Sequence, residues 1–217
     1  MVRCRCSGPQ DPSLADAVIF ASRKIMSSIE YDLGYLKSAI DVLEEYLLSD
    51  EIYWATGSSP PPGDPPYPQL TLGGVLLAQA RLKARQDECN MIPELDRLVL
   101  RLDTIFSKWK VAWNKKASRE YISRLNLWRD FLEELRMNPE DNYDRYAYEA
   151  TRRVMLHLLE PFAIHVSAHE KELLAGLDKL LEAMFVSNGF IWEESIEPGF
   201  SRAYYWYLYG HLRVSQR

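Results

Sequence analysis

An all-α fold is predicted by this 217-residue sequence: an antiparallel bundle of five to seven helices, two of them long, with one proline-rich loop. Three observations carry that expectation. Apolar residues recur at intervals of three and four over long stretches. Residues that start and stop helices sit at the ends of those stretches. No segment alternates apolar and polar residues as a half-buried strand does.

The first stripe runs through Leu14, Val18, Ala21, Ile25, Ile29, Leu33, Leu36, Ile40, Leu43 and Leu47. It predicts one long helix that opens at Pro12, with Asp11 as its cap. Gly34 lies inside the stripe, at a cost of about 1 kcal/mol relative to alanine. A helix this long would exceed roughly 50 Å at its standard rise, so only other long helices can cover it.

Residues 54–70 interrupt the pattern. Six of the chain's 12 prolines fall between positions 60 and 68. Proline lacks an amide donor and restricts the residue before it, which rules out a helix or a central strand. The segment reads as an extended loop of polyproline-II character. Tyr53, Trp54, Tyr67 and Leu70 bracket it as apolar anchors.

Thr71 then caps a helix carrying Leu72, Leu76, Ala80 and Leu82, ending near Asp87. Asn90 and Pro93 mark the next start. From Leu95 to Leu135 the stripe passes through Leu102, Trp109, Trp113, Tyr121 and Trp128. The spacing allows one helix over 93–137 or two helices broken near Asn114. Asn138-Pro139, followed by Glu140 and Asp141, has the chemistry of a helix start. Tyr146, Ala150, Val154, Leu158 and Phe162 form another stripe, which Pro161 ends or kinks.

Ser167 with Glu170 is a capping-box signature, and the helix it opens reaches Phe185, with Gly189 as its stop. A last short helix, Ser201 to Leu212, carries the aromatic run Tyr204 to Tyr209. The domain organisation read from these elements is a flexible tail over 1–11 and a single helical bundle domain over 12–217.

Composition narrows the function classes. Apolar residues make up 47% and charged residues 26%, the balance of a folded chain and not of a disordered one. A net charge of −5 argues against general attraction to nucleic acid or an anionic membrane. Three cysteines, Cys4, Cys6 and Cys89, are an odd number without framework spacing, which points to a reducing, cytoplasmic setting. The first apolar run, Ala17 to Ala21, is too short for a signal or a membrane span and is followed by Arg23 and Lys24.

Three groups of residues are candidate sites, and no cofactor is predicted. His157, Glu160, His165 and His169, with Glu172, have the residue types and helical spacing of a metal site between two helices. Ser167 as a cap would place His165 before its helix and weaken that geometry. Lys108, Lys110, Lys115, Lys116 and Arg119, interleaved with Trp109 and Trp113, could hold an anion or nucleic acid. Both tryptophans fall on the core stripe, which leaves the cations as an ordinary solvated face.

Trp54, Tyr67, Tyr205, Trp206 and Tyr209 form a candidate interaction surface, because tyrosine and tryptophan combine an apolar body with a polar tip. For Tyr205, Trp206 and Tyr209 the other reading is burial between the helices and the proline loop. There is no GxSxG, HExxH or phosphate-binding glycine loop. The expected function is therefore a non-enzymatic interaction or scaffold module, acting on a protein partner or on itself. A metal-dependent bundle enzyme and a nucleic-acid-binding accessory protein are the alternatives.

Overall fold

The computed structural model describes residues 28–85 and 93–213. The expected tail over 1–11, the start at Asp11-Pro12, the stripe from Leu14 to Ile25, Asp87, Asn90 and the three cysteines lie outside the described residues. Among the described residues the fold is mainly helical, with one small two-stranded sheet.

Helix α1 spans Ile29–Leu48, and not one unbroken rod from Pro12, because Ser28 is extended (φ −69°, ψ 163°) and caps it, its hydroxyl accepting the Tyr31 amide at 3.0 Å. Its stripe is buried from Leu36 through Ile40 and Leu43 to Leu47. Helix α2 spans Leu72–Ala84 and is capped by Thr71, whose hydroxyl accepts the Gly74 amide at 3.0 Å. Helices α3, Pro93–Lys108, and α4, Lys110–Met137, divide the long central stripe.

The division falls at Trp109, where φ is −115° and ψ is 29°, and not at Asn114. The ladder survives the bend, since Trp109 N donates to Ile105 O and Trp113 N to Trp109 O, both at 2.8 Å. Packing accounts for its place. The Trp109 indole N–H donates to Glu44 on α1 at 2.9 Å, while Trp113 is buried against Phe106 and Phe162.

Asn138-Pro139 opens the four-residue helix α5, Pro139–Asn142. A 3-10 turn, Tyr143–Arg145, leads into α6, Tyr146–Leu159, which ends just before Pro161. Helix α7, Ala168–Met184, begins with the expected capping box. The Ser167 amide donates to the Glu170 carboxylate at 2.6 Å, and the Glu170 amide donates back to the Ser167 hydroxyl at 3.4 Å.

The C-terminal part departs from expectation. Gly189 does not stop α7, because the helix ends at Met184 and the chain continues as strand β1, Phe185–Phe190. Ser201 to Leu212 is not a helix. It forms a turn, a 3-10 segment over Trp206–Leu208 and strand β2, Tyr209–Leu212. The strands pair antiparallel, Phe185 opposite Leu212 and Ser187 opposite Gly210, with an irregularity before Phe190 meets Tyr209.

Two physical reasons favour this over a helix. A helix would spread the five aromatics of Tyr204–Tyr209 around its circumference, whereas the turn and 3-10 segment turn Tyr205 and Tyr207 inward and Tyr209 enters the pleated surface of β2. Gly210 also lies against β1, and a Cβ there would run into the Val186 carbonyl and the Phe185 ring.

One hydrophobic cluster joins all these parts, from Leu36 on α1 to Leu212 on β2. Helix α6 packs on both α2 and α4, and the 3-10 segment Glu194–Gly199 packs on α2.

Candidate interaction surface

The proline-rich loop leaves and rejoins the helices at one neck. Trp54 N donates to Leu70 O at 3.1 Å, and Leu70 N donates to Trp54 O at 2.7 Å. Leu70 is buried there and Trp54 half-buried. The returning arm is fastened to α1. Tyr67 stacks edge-on against Tyr31 and Tyr35, with ring centroids 5.0 and 5.8 Å away. Tyr31 Oη donates to Pro66 O at 3.2 Å and Tyr35 Oη to Gln69 O at 3.4 Å. Burial raises the pKa of both phenols, with help from Asp32 at Tyr31 and from Glu120 at Tyr35. Both therefore stay protonated and keep donating.

The tip turns where the sequence permits. Asp64 N donates to Pro61 O at 3.1 Å across Pro62 and Gly63, and Gly63 has φ of 95°. This is the pattern of a type II turn, with proline second and a positive-φ glycine third. Beyond the turn, Pro65, Pro66 and Pro68 are exposed while Tyr67 is turned inward. Pro65 and Pro68 are three residues apart, the repeat of a polyproline-II helix, and in that conformation they would share one ridge.

Buried charge holds the frame behind the loop. Glu120 on α4 is wholly buried and accepts the Gly73 amide at 3.0 Å, the second amide of the α2 segment that follows the loop. Arg124 Nε donates to the same carboxylate at 2.6 Å, and its Nη2 donates to the Thr71 hydroxyl at 2.8 Å. Further along, Asp32 on α1 pairs with Arg85 at 3.0 Å, and Arg85 also pairs with Glu193. Arg153 on α6 grips Asp178 on α7 through two hydrogen bonds of 2.8 and 2.7 Å.

The other expected sites do not assemble. His165 and His169 are exposed at the start of α7, and Glu160 is exposed at the end of α6. His157 is half-buried against Tyr205, with ring centroids 4.8 Å apart. Among the described residues no group of three or more His, Cys, Asp or Glu stands together as a metal-binding set. The metal reading of His157, Glu160, His165 and His169 is therefore not supported, because the cap that starts α7 sets its histidines apart from the α6 pair.

The basic stretch is largely spent inside the molecule. Lys108 pairs with Glu44 at 2.8 Å, and its hydrogen bond together with that of Trp109 lowers the Glu44 pKa. Lys116 is buried, lies over the Tyr46 ring at 4.4 Å and donates to the carbonyls of Ser49 and Glu51, both at 2.7 Å. Arg119 faces Asp50 at 3.5 Å. Only Lys110 and Lys115 of the five remain exposed without an ion pair among the described residues. Sequence spacing could not show this, because the partners lie on α1 and just beyond it.

The C-terminal aromatics divide as well. Tyr205 and Tyr209 are buried and Trp206 is half-buried, which corrects their place on an open interaction surface. Nor does the proline loop cover them, since that loop packs on α1. Tyr205 packs on Phe200 and His157, Trp206 on Phe185, and Tyr209 donates to Phe200 O at 2.7 Å. Of the expected interaction residues, Trp54 and Tyr67 remain at the loop, as its anchors.

No family model matches this chain, and no curated protein or solved structure matches it either. No helix among the described residues is long and apolar enough to cross a membrane.

Proposed function

We propose that the chain is a non-enzymatic interaction module whose proline-rich loop is a preformed ligand for an aromatic-lined groove on a partner protein. The observation that carries this reading is the contrast within Pro65–Pro68. Three prolines face solvent while Tyr67 is locked against Tyr31 and Tyr35. Grooves of the SH3, WW and EVH1 type bind extended proline segments, and a segment already held extended loses less entropy on docking. In this reading the helices, taken as an antiparallel bundle in one domain, are the frame that fixes the loop, and the setting is the cytoplasm.

Binding to a panel of purified SH3, WW and EVH1 domains tests the reading, using the full chain and a Pro65→Ala/Pro66→Ala/Pro68→Ala variant. These prolines are exposed, so circular dichroism should find the variant folded. Saturable binding by at least one domain, lost in the variant, is the expected result. Binding by none of them, or equal binding to the variant, overturns it.

A further inference from the structure

A cleft of about 750 Å³ opens where the end of α4 meets α5, the last turn of α7 and the end of β2. Leu135, Met137, Met184 and Leu212 are its apolar lining, Leu135 and Leu212 from within the buried core, and Glu140, Asp141 and Asp144 line it as well. Met137 is 69% exposed, a large apolar side chain at the end of a helix whose other apolar residues are mostly buried. Tyr143, beside the three acids, also lines the cleft and is exposed.

The three acids are unpaired among the described residues, as many surface acids here are, but they stand together at the lining of one cleft. Elsewhere on the surface, Asp41 pairs with Arg101, Glu44 with Lys108, and Glu94 with Lys37. Glu140, Asp141 and Asp144 have no ion pair among the described residues. The nearest arginine in sequence, Arg145, is already committed to Glu134 and Glu149, each at 3.2 Å, and to the Asn142 side chain at 2.8 Å. Among the described residues Arg213 is the cation that lines the cleft, against three acids. The cleft, as those residues form it, thus combines apolar lining with an excess of negative charge. Glu140 and Asp141 also suit the start of α5. That accounts for two acids at a helix end, and not for the apolar lining beside them.

We infer that this cleft docks a basic amphipathic peptide segment of a partner protein, with its apolar face on Met137, Leu135, Met184 and Leu212 and its lysines or arginines on Glu140, Asp141 and Asp144. Each half of the surface has a separate task. Burial of the apolar face supplies affinity, while the acids steer the segment in and fix its orientation. The cleft is built from elements other than the proline loop, so this inference stands or falls apart from the proposed function. If both hold, the module offers one partner a ligand and receives a ligand from another.

Fluorescence anisotropy with three labelled peptides tests it: one of leucine and lysine at helical spacing, one of serine and lysine with the same charge, and one of leucine and glutamate. The full chain should bind the leucine–lysine peptide saturably and more tightly than the other two, and added salt should weaken that binding. An Asp141→Asn/Asp144→Asn variant should lose about tenfold in affinity. Met137→Ser should also bind more weakly, whereas an Asp96→Asn/Asp103→Asn variant, with the same charge change on the exposed face of α3, should bind as the native chain does.

Equal binding of the serine–lysine and leucine–lysine peptides would overturn the inference. So would an equal loss in the α3 variant, native-like binding by the Asp141/Asp144 variant, or no saturable binding at all.

Discussion

Gly34 on α1 leaves open the space that the Tyr67 hydroxyl fills, and a Cβ at that position would overlap the phenol oxygen. A glycine that weakens its own helix thereby lets the returning arm of the proline loop lie flat on α1.

Gly34→Ala should therefore separate stability from loop anchoring. Alanine favours the helix by about 1 kcal/mol over glycine, which offsets much of the cost of moving the Tyr67 ring. The urea midpoint should change little. The loop should become more susceptible to limited proteolysis, and any partner that reads Pro65–Pro68 should bind less tightly. Native-like cleavage rates in the variant would argue that Tyr67 does not hold the loop.

The Glu120–Arg124 pair should tolerate the loss of one partner poorly. Glu120 is completely buried, so Arg124→Ala leaves a carboxylate without its cation and takes one of two donors from the Thr71 hydroxyl, which keeps the Gly74 amide. Breaking a buried pair from one side costs about 3–5 kcal/mol, and urea unfolding should show a loss of that size. Gly73→Ala should also destabilise, since the new Cβ would stand 2.7 Å from Glu120 Oε1 and 3.1 Å from Met155 Cβ.

His157 should make stability depend on pH in the mildly acid range. Burial lowers its pKa, the Arg153 charge lowers it further, and Glu160 opposes them. The unfolded chain thus takes up a proton below about pH 6.5 that the folded chain resists. Stability from this group is present above that pH and is lost as the pH falls. Urea midpoints at pH 7.5 and 5.5 should differ more in the native chain than in His157→Gln. An equal difference in the two proteins would remove His157 as the cause.

The aromatic run should give a graded response that follows burial. Tyr207 is fully buried, and Arg153 lies over its ring at 4.9 Å. Tyr207→Ala should cost about 3–5 kcal/mol, as for other large buried rings. Trp206→Ala, at a half-buried ring packed on Phe185 and Tyr207, should cost less. Tyr204→Ala should be close to neutral, since that ring is 67% exposed. Calorimetry on the three variants checks the order. A neutral Tyr207→Ala would contradict the buried placement of this segment.

The helices and their caps were legible because the forces that set them are local. Thr71 and Ser167 with Glu170 bond to amides within one turn, and Pro139 presets its own backbone for the first helical position. The three-and-four spacing of α1, α4 and α6 is a property of consecutive residues. The bend at Trp109 was less legible. The apolar stripe runs through it unbroken, and its position depends on Glu44 in another helix. Tyr67 and Trp54 could be read as loop anchors from composition, while their partners, Tyr31, Tyr35 and Leu70, could not.

By itself, then, the sequence determined that most of the described chain would be helix, that Thr71 and Ser167 would cap two of the helices, and that residues 54–70 would form a proline-rich loop. Tertiary structure alone decided that the aromatic run folds as a turn and a 3-10 segment leading into a strand, and that Lys116 is caged by carbonyls following α1. The reason lies in range. Helix spacing and capping act between neighbours in the chain, whereas β1 for β2, Ser49 and Glu51 for Lys116, and Gly34 for Tyr67 are supplied by residues that only folding brings near.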